Sequence, residues 1–215
     1  EEICRVGRSL FERGYVHATA GNISARVPPQ QGGGVLITPT DACLGTLRAE
    51  DLAWVDDQGQ QLGGRPASKT LALHQRIYAG DPSAGCVIHT HSTHLVALTL
   101  LEPASDADLL PPITPYFVMK VGRVPRIDYH RPGDPRVADE VARQLHRAHD
   151  EGRTLRAVML DRLGPNVWHA TPAQAMAVLE ELEETARLWL MTQPRPAPLT
   201  PAQIQELREA FNASW

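Results

Sequence analysis

The sequence predicts an α/β fold of three layers, α-β-α, in which a central, mostly antiparallel sheet carries helices on both faces. Two observations predict it. Short apolar runs such as Val35-Leu36-Ile37, Cys86-Val87-Ile88 and Ala157-Val158-Met159-Leu160 are bounded by Gly, Pro and Asp, as strands are. Longer stretches between them repeat apolar side chains at helical spacing. At 215 residues the chain can bury a full core without disulfides, and residues 1–215 read as one domain.

Residues 1–14 place Ile3, Val6, Leu10 and Phe11 on one helical face, and Gly14 can take the left-handed cap conformation. Ile23, Ala25 and Val27 alternate with polar residues as a half-buried strand. After the Gly32-Gly33-Gly34 turn, Val35 to Thr38 supplies a second strand that pairs with the first as a hairpin. Thr38-Pro39-Thr40-Asp41 ends it in a loop of the kind that binds ligands. Residues 52–56 read as a third strand. A helix follows with Ser68 as its N-cap and Leu71, Leu73, His74, Ile77 and Tyr78 inside, stopped by Asp81-Pro82.

Leu95 to Leu101 is an apolar helix, followed by a loop rich in Asp and Pro. Val124 to Tyr129 reads as an edge strand, because Pro125 would forfeit a ladder bond in a central one. Residues 134–149 are helical on Val137, Val141 and Leu145. Ala157 to Leu160 and Val167 to His169 are strands joined around Gly164-Pro165. Thr171 caps a long helix through Ala175, Leu179, Leu182 and Ala186, and Pro201 opens a last one.

Composition narrows the partners. Formal net charge is -4, with no basic run interleaved with aromatics, so a nucleic-acid partner is not expected. Cys4, Cys43 and Cys86 are odd in number and irregular in spacing, which fits reduced thiols in a cytoplasmic protein. No apolar run reaches the ~18 to 20 residues of a membrane span, so no membrane partner is expected. Glu1-Glu2-Ile3-Cys4-Arg5 does not read as a signal peptide, and a first residue other than Met leaves room for residues ahead of it.

The most informative stretch is Ala84 to His94. Cys86 to Ile88 reads as a buried strand running into His89-Thr90-His91. Residues two apart on an extended backbone face the same side, so both imidazoles can grip one metal ion. Imidazole suits zinc and its neighbours, and a catalytic zinc site takes three protein ligands. A pair of hydrogen-bonded structural histidines is the alternative reading.

Ala20-Gly21-Asn22-Ile23-Ser24, Ile37-Thr38-Pro39-Thr40, Pro66-Ala67-Ser68-Lys69, His89-Thr90-His91-Ser92 and Glu180 to Ala186, in this order, resemble the class II aldolase/adducin family over nearly the whole chain. Ile113 to Gly122 and Tyr129-His130-Arg131-Pro132-Gly133-Asp134 are most similar to its branch of 3-oxo-tetronate 4-phosphate decarboxylases. The resemblance implies a cytoplasmic homotetramer and a carbon–carbon lyase of carbohydrate metabolism, acting on a small phosphorylated sugar acid. It also implies a divalent metal, zinc by preference, held by three histidines as a Lewis acid. His89 and His91 match two ligands; Asn22, Thr40, Ser68 and Lys69 match the phosphate end, where hydroxyls and backbone N–H groups converge on an anion.

Three positions depart from the family pattern. Its acid/base Glu is Thr70 here, and a hydroxyl is no proton carrier near neutrality. Its third His is Leu163, in Arg162-Leu163-Gly164-Pro165, and its Gly after Thr-Pro-Thr is Asp41. Asp161 and His169 are the candidate substitutes; His169 is the third metal ligand of this reading, with a surface residue as the alternative. His94 reads as an interface residue or a support to the ligands. Besides an active lyase, the sequence admits a pseudoaldolase that binds ligand without turnover, and an adducin-like oligomeric interaction module.

Overall fold

The computed structural model describes residues 1–101 and 108–215. Its strands are β1 (Asn22–Arg26), β2 (Val35–Ile37), β3 (Ala53–Val55), β4 (Gln61–Gly63), β5 (Cys86–His89), β6 (Arg126–Ile127), β7 (Ala157–Leu160) and β8 (Gly164–His169). Its helices are α1 (Glu2–Glu12), α2 (Leu71–Gly80), α3 (Thr93–Leu101), α4 (Pro115–Lys120), α5 (Arg136–Asp150), α6 (Pro172–Met191) and α7 (Pro201–Phe211). The strands form one sheet in the order β4-β3-β2-β1-β5-β8-β7-β6, with every pair antiparallel except β6 with β7.

The pleat sorts the apolar side chains into two cores. Ile23, Ile88 and Val167 are partners across β1, β5 and β8, and they meet Leu10 of α1, Leu95 of α3 and Leu179 and Leu182 of α6. Val87 and Trp168 point the other way, onto Leu73 and Ile77 of α2 and Val141 and Leu145 of α5. β5 is therefore buried along its whole length. Helices cover both faces, as the three-layer expectation requires.

Several expectations of detail change. The helix after residue 68 begins at Leu71, with Thr70 in the cap position. Ser68 is held elsewhere: its N–H donates to the Thr38 carbonyl at 3.2 Å, and its hydroxyl pairs with that of Thr70 at 2.9 Å. Leu71 is only half-buried, whereas Leu73, His74, Ile77 and Tyr78 form the inner face. β4 carries no apolar alternation and is exposed throughout, so its sequence gave no strand signal. Thr114 opens α4 by accepting the Phe117 N–H at 3.1 Å. The segment around Pro125 is an edge strand, as its proline demands, shortened to Arg126–Ile127. Residues 102–107 of the Asp- and Pro-rich loop lie outside the described residues. Among the described residues no helix is long and apolar enough to cross a membrane.

Two glycines let neighbouring backbone close on the end of β5. A side chain at Gly21 would meet the His89 carbonyl at 2.8 Å, and one at Gly164 would meet the Thr90 carbonyl at 1.9 Å. Gly164 also holds φ 138, open almost only to glycine. Gly164→Ala is expected to lower stability by at least about 3 kcal/mol, from strain and overpacking together. Gly59→Ala, at positive φ with nothing within 4 Å, should cost about 1 kcal/mol. Chemical denaturation of both variants checks the difference; equal losses would contradict the packing described.

Candidate active site

His89 closes β5, and the sheet register sets its surroundings. It pairs with Asn22 of β1 and Asn166 of β8, so three polar side chains form one row on the α2 face. His89 is 4 % exposed, and its Nδ1–H donates to the Pro165 carbonyl at 2.9 Å. A carbonyl only accepts, so the proton lies on Nδ1 and Nε2 keeps its lone pair. Burial, and secondarily the neighbouring His91, push the His89 pKa down to about 4 against the pull of that carbonyl. His91 is half-buried, its ring centroid 5.1 Å from that of His89 at an interplanar angle of 69°. Burial and then His17 lower its pKa as well. The two rings stand side by side as neutral imidazoles.

Beneath them lies His74 of α2, fully buried, with Nδ1 2.7 Å from the Ser24 hydroxyl, which also meets the Tyr78 hydroxyl at 2.8 Å. Burial pushes the His74 pKa down to about 3, and His89 adds to the effect. His74 Nε2, Asn22 Oδ1 and both polar side-chain atoms of Asn166 are buried without a hydrogen-bond partner. Each such atom costs roughly 1 to 3 kcal/mol, and their gathering in one row marks this end of the sheet as a functional region.

A cavity of about 150 Å³ opens beside this row, lined by His89, Lys69, Thr70 and Leu163 and, from the segment before α5, by His130 and Asp134. Of the expected phosphate-end residues Lys69 lines it, and Ser68 meets its wall through the Thr70 hydroxyl at 2.9 Å. Thr40 N–H and Oγ1–H donate to the carbonyls of Pro66 and Ala67 at 3.0 and 2.8 Å. Thr38 accepts the Ser68 N–H at its carbonyl and the Ile23 N–H at its hydroxyl. These bonds gather Thr40, Ser68 and the Asn22 end of β1 into one corner, with exposed Lys69 on the cavity wall. Asp41 is exposed, at φ 55, and among the described residues no ion pair joins it to Lys69.

The candidates for a third ligand fare differently. His169 pairs with Cys86, at the opposite end of β5 from His89, and its Nδ1 accepts the Ala170 N–H at 2.8 Å. The expectation that His169 completes the metal site is therefore corrected by register: Val87 and Ile88 lie between its pairing position, Cys86, and His89. Asp161 lines the cavity, but its carboxylate takes an Arg126 N–H at 2.6 Å in an ion pair that is largely buried. Leu163 forms an apolar part of the wall. Among the described residues no group of three His, Cys, Asp or Glu could hold a metal ion. The donor set is two imidazoles, one short of a three-ligand zinc centre, and does not fit one. His94 Nδ1 lies 2.8 Å from Glu183, whose carboxylate also accepts the backbone N–H groups of His94 and Leu95 and so tethers the start of α3.

Sequence reasoning passed over His130. Its Nε2 lies 3.1 Å from Glu140 Oε1, in the motif Tyr129 to Asp134 that had stood out for other reasons.

The eight-stranded sheet layered between helices, with His-Thr-His at the end of its central strand, defines a class II aldolase-type protein. The profile of the Class II Aldolase and Adducin N-terminal domain matches residues 1–190, and this chain belongs to that family. It is 50 % identical, over all of its length and 96 % of the relative's, to a Cupriavidus necator protein named 3-oxo-tetronate 4-phosphate decarboxylase. An Escherichia coli K12 protein of the same name is 39 % identical over 97 % of this chain and 94 % of its own. The solved structure of YgbL from Klebsiella pneumoniae superposes with a TM-score of 0.87 at 38 % identity, covering 96 % of each chain. Class II aldolases are metal-dependent, which gives the shortfall of one ligand here its weight.

The buried imidazoles predict a pH dependence. His74 is neutral in the folded chain down to about pH 3, while the unfolded chain takes up its proton near 6.5. Below 6.5 the unfolded state binds more protons, so stability falls with falling pH through that window. Unfolding midpoints between pH 7 and 4 should drop, and His74→Gln should flatten the slope. An unchanged slope in the variant would contradict the assignment.

Proposed function

We propose that this chain binds a phosphorylated 3-oxo sugar acid in the cavity beside His89 and releases its carboxylate as CO₂. One observation carries this reading: a cavity walled by the neutral His89 and by Thr70 adjoins the corner where Thr40, Ser68 and Lys69 gather. The names of the 50 % and 39 % identical relatives support the substrate class. In this reading Asn22, Thr40, Ser68 and Lys69 take the phosphate, and a cytoplasmic homotetramer is the working form.

The chemistry explains why Thr70 is tolerable. Aldol cleavage begins by removing a hydroxyl proton and needs a base where the family pattern has Glu. A 3-oxo acid carries its own electron sink. Its C1–C2 bond breaks with the pair moving into C2–C3 and charge onto the 3-oxygen, so cleavage needs no base, only donors at that oxygen. The Thr70 hydroxyl is such a donor on the cavity wall. His89 is not, because its cavity-side nitrogen holds a lone pair; it orients the substrate by accepting a hydroxyl hydrogen. Leu163 and Leu73 exclude water from the reacting carbons.

A second reading, a pseudoaldolase that binds without turnover, is favoured by the missing third ligand. The two separate on one preparation. CO₂ release from 3-oxo-tetronate 4-phosphate is expected, with Lys69→Ala raising KM about 10-fold and leaving an unphosphorylated 3-oxo acid unaffected. Tight binding without CO₂ release would establish the second reading. If Thr70→Glu with Leu163→His then created turnover, loss of the metal machinery would be its cause.

A further inference from the structure

Decarboxylation leaves an enolate that must be protonated at C2, a step for which the reading above names no donor. We propose that His130 is the proton donor, positioned by Glu140. This inference rests on the decarboxylase reading above.

His130 stands on the segment between β6 and α5 and lines the same cavity as His89 and Thr70. Its side chain is 11 % exposed, so the ring is enclosed yet borders the cavity. Nε2 lies 3.1 Å from Glu140 Oε1 of α5, within hydrogen-bond reach. Nδ1 lies 4.0 Å from Asp134 Oδ2, beyond it. Glu140 as acceptor places one proton on Nε2, and the second proton of an imidazolium is then on Nδ1, free to leave. Asp134 contributes charge: Arg136 binds both of its oxygens, at 3.1 and 2.8 Å, and that guanidinium holds its carboxyl well below the usual carboxylate range. Two carboxylates thus flank one ring.

The other charges near the ring are accounted for. Arg143 reaches Glu140 at 3.5 Å from the solvent side. Lys69, Asp128 and Arg131 also line the cavity, while Asp161 is paired with Arg126. The contrast with His89 is one of surroundings. One imidazole faces a carbonyl inside an apolar sheet, and the other faces carboxylates at the cavity wall.

The step balances. The C1–C2 bond breaks, CO₂ leaves, and its electron pair becomes the C2–C3 π bond of the enolate. Nδ1–H of His130 is then transferred to C2 as the 3-oxo group re-forms. His130 ends neutral and regains one proton from solvent, the proton consumed in each turnover. No oxidant or reductant takes part.

Turnover of 3-oxo-tetronate 4-phosphate by the full chain in D₂O tests this. A proton delivered from one side places deuterium at one prochiral position of the product's new C–H bond. The unaltered chain should give one-sided label. His130→Asn should lower kcat about 100-fold with KM within a few-fold, and should scramble the label, because the enolate is then quenched by solvent. Glu140→Ala keeps the ring but removes the acceptor that orients it: kcat should fall and part of the label should scramble, whereas Glu140→Gln, whose amide oxygen can still accept from Nε2, should keep the label one-sided. If His130→Asn does not fold, this pair decides the question. One-sided label at normal kcat in His130→Asn, or in Glu140→Ala, overturns the role of His130 while leaving the decarboxylase reading intact. No CO₂ from the unaltered chain removes both.

Discussion

The hydrogen bond from the His89 imidazole to the Pro165 carbonyl sets the character of the whole corner. It exists because β8 runs antiparallel to β5 in a register that brings Asn166 opposite His89, and because Gly164 lets the preceding turn close against Thr90. It assigns the ring's proton to the nitrogen facing the protein. Burial then keeps the ring from taking a second proton, so the nitrogen left over is an acceptor. His91 repeats that condition beside it, less buried. Whatever donates to substrate must come from another element.

That requirement divides the cavity by charge. The sheet contributes the neutral imidazole of His89, with the unpartnered amides of Asn22 and Asn166 in the same row, while the segments before α2 and α5 contribute Lys69, Thr70 and His130 with its carboxylates. Asp161, a free carboxylate by sequence, is neutralised by Arg126. Decarboxylation of a 3-oxo acid suits such a layout better than aldol cleavage does, since it asks for donors and for no strong base. Membership of the family supplies the fold; the distribution of donors supplies the reason for preferring one of its chemistries.

Much of this was legible in the sequence, for physical reasons. Largely buried strands write themselves as short apolar runs, so β2, β5 and β7 stood out, and helices with one buried stripe, such as α1 and α5, did so by period. β4 did not, because an exposed edge strand needs no apolar pattern. The start of α2 was misplaced because Ser68 is drawn to Thr38, a long-range bond that a local capping rule does not see. At the site, the nearness of His89 to His91 agrees with the two-residue spacing of an extended backbone, although β5 itself ends at His89. His169 was misread because only the cross-strand register says which end of β5 it faces. His130 was missed because nothing local joins it to Glu140; the helix that follows folds that carboxylate back onto the ring.

In the proposed decarboxylation, cleavage depends on the cavity's own donors and on no three-histidine metal centre. The most direct measurement is CO₂ release from 3-oxo-tetronate 4-phosphate before and after exhaustive treatment with a strong chelator, with bound zinc quantified on the same sample. Release that persists at an unchanged rate in metal-depleted protein is the expected result. Release that vanishes with the metal and returns on adding zinc would contradict the claim and put the reaction back on a metal this chain holds with ligands not identified above.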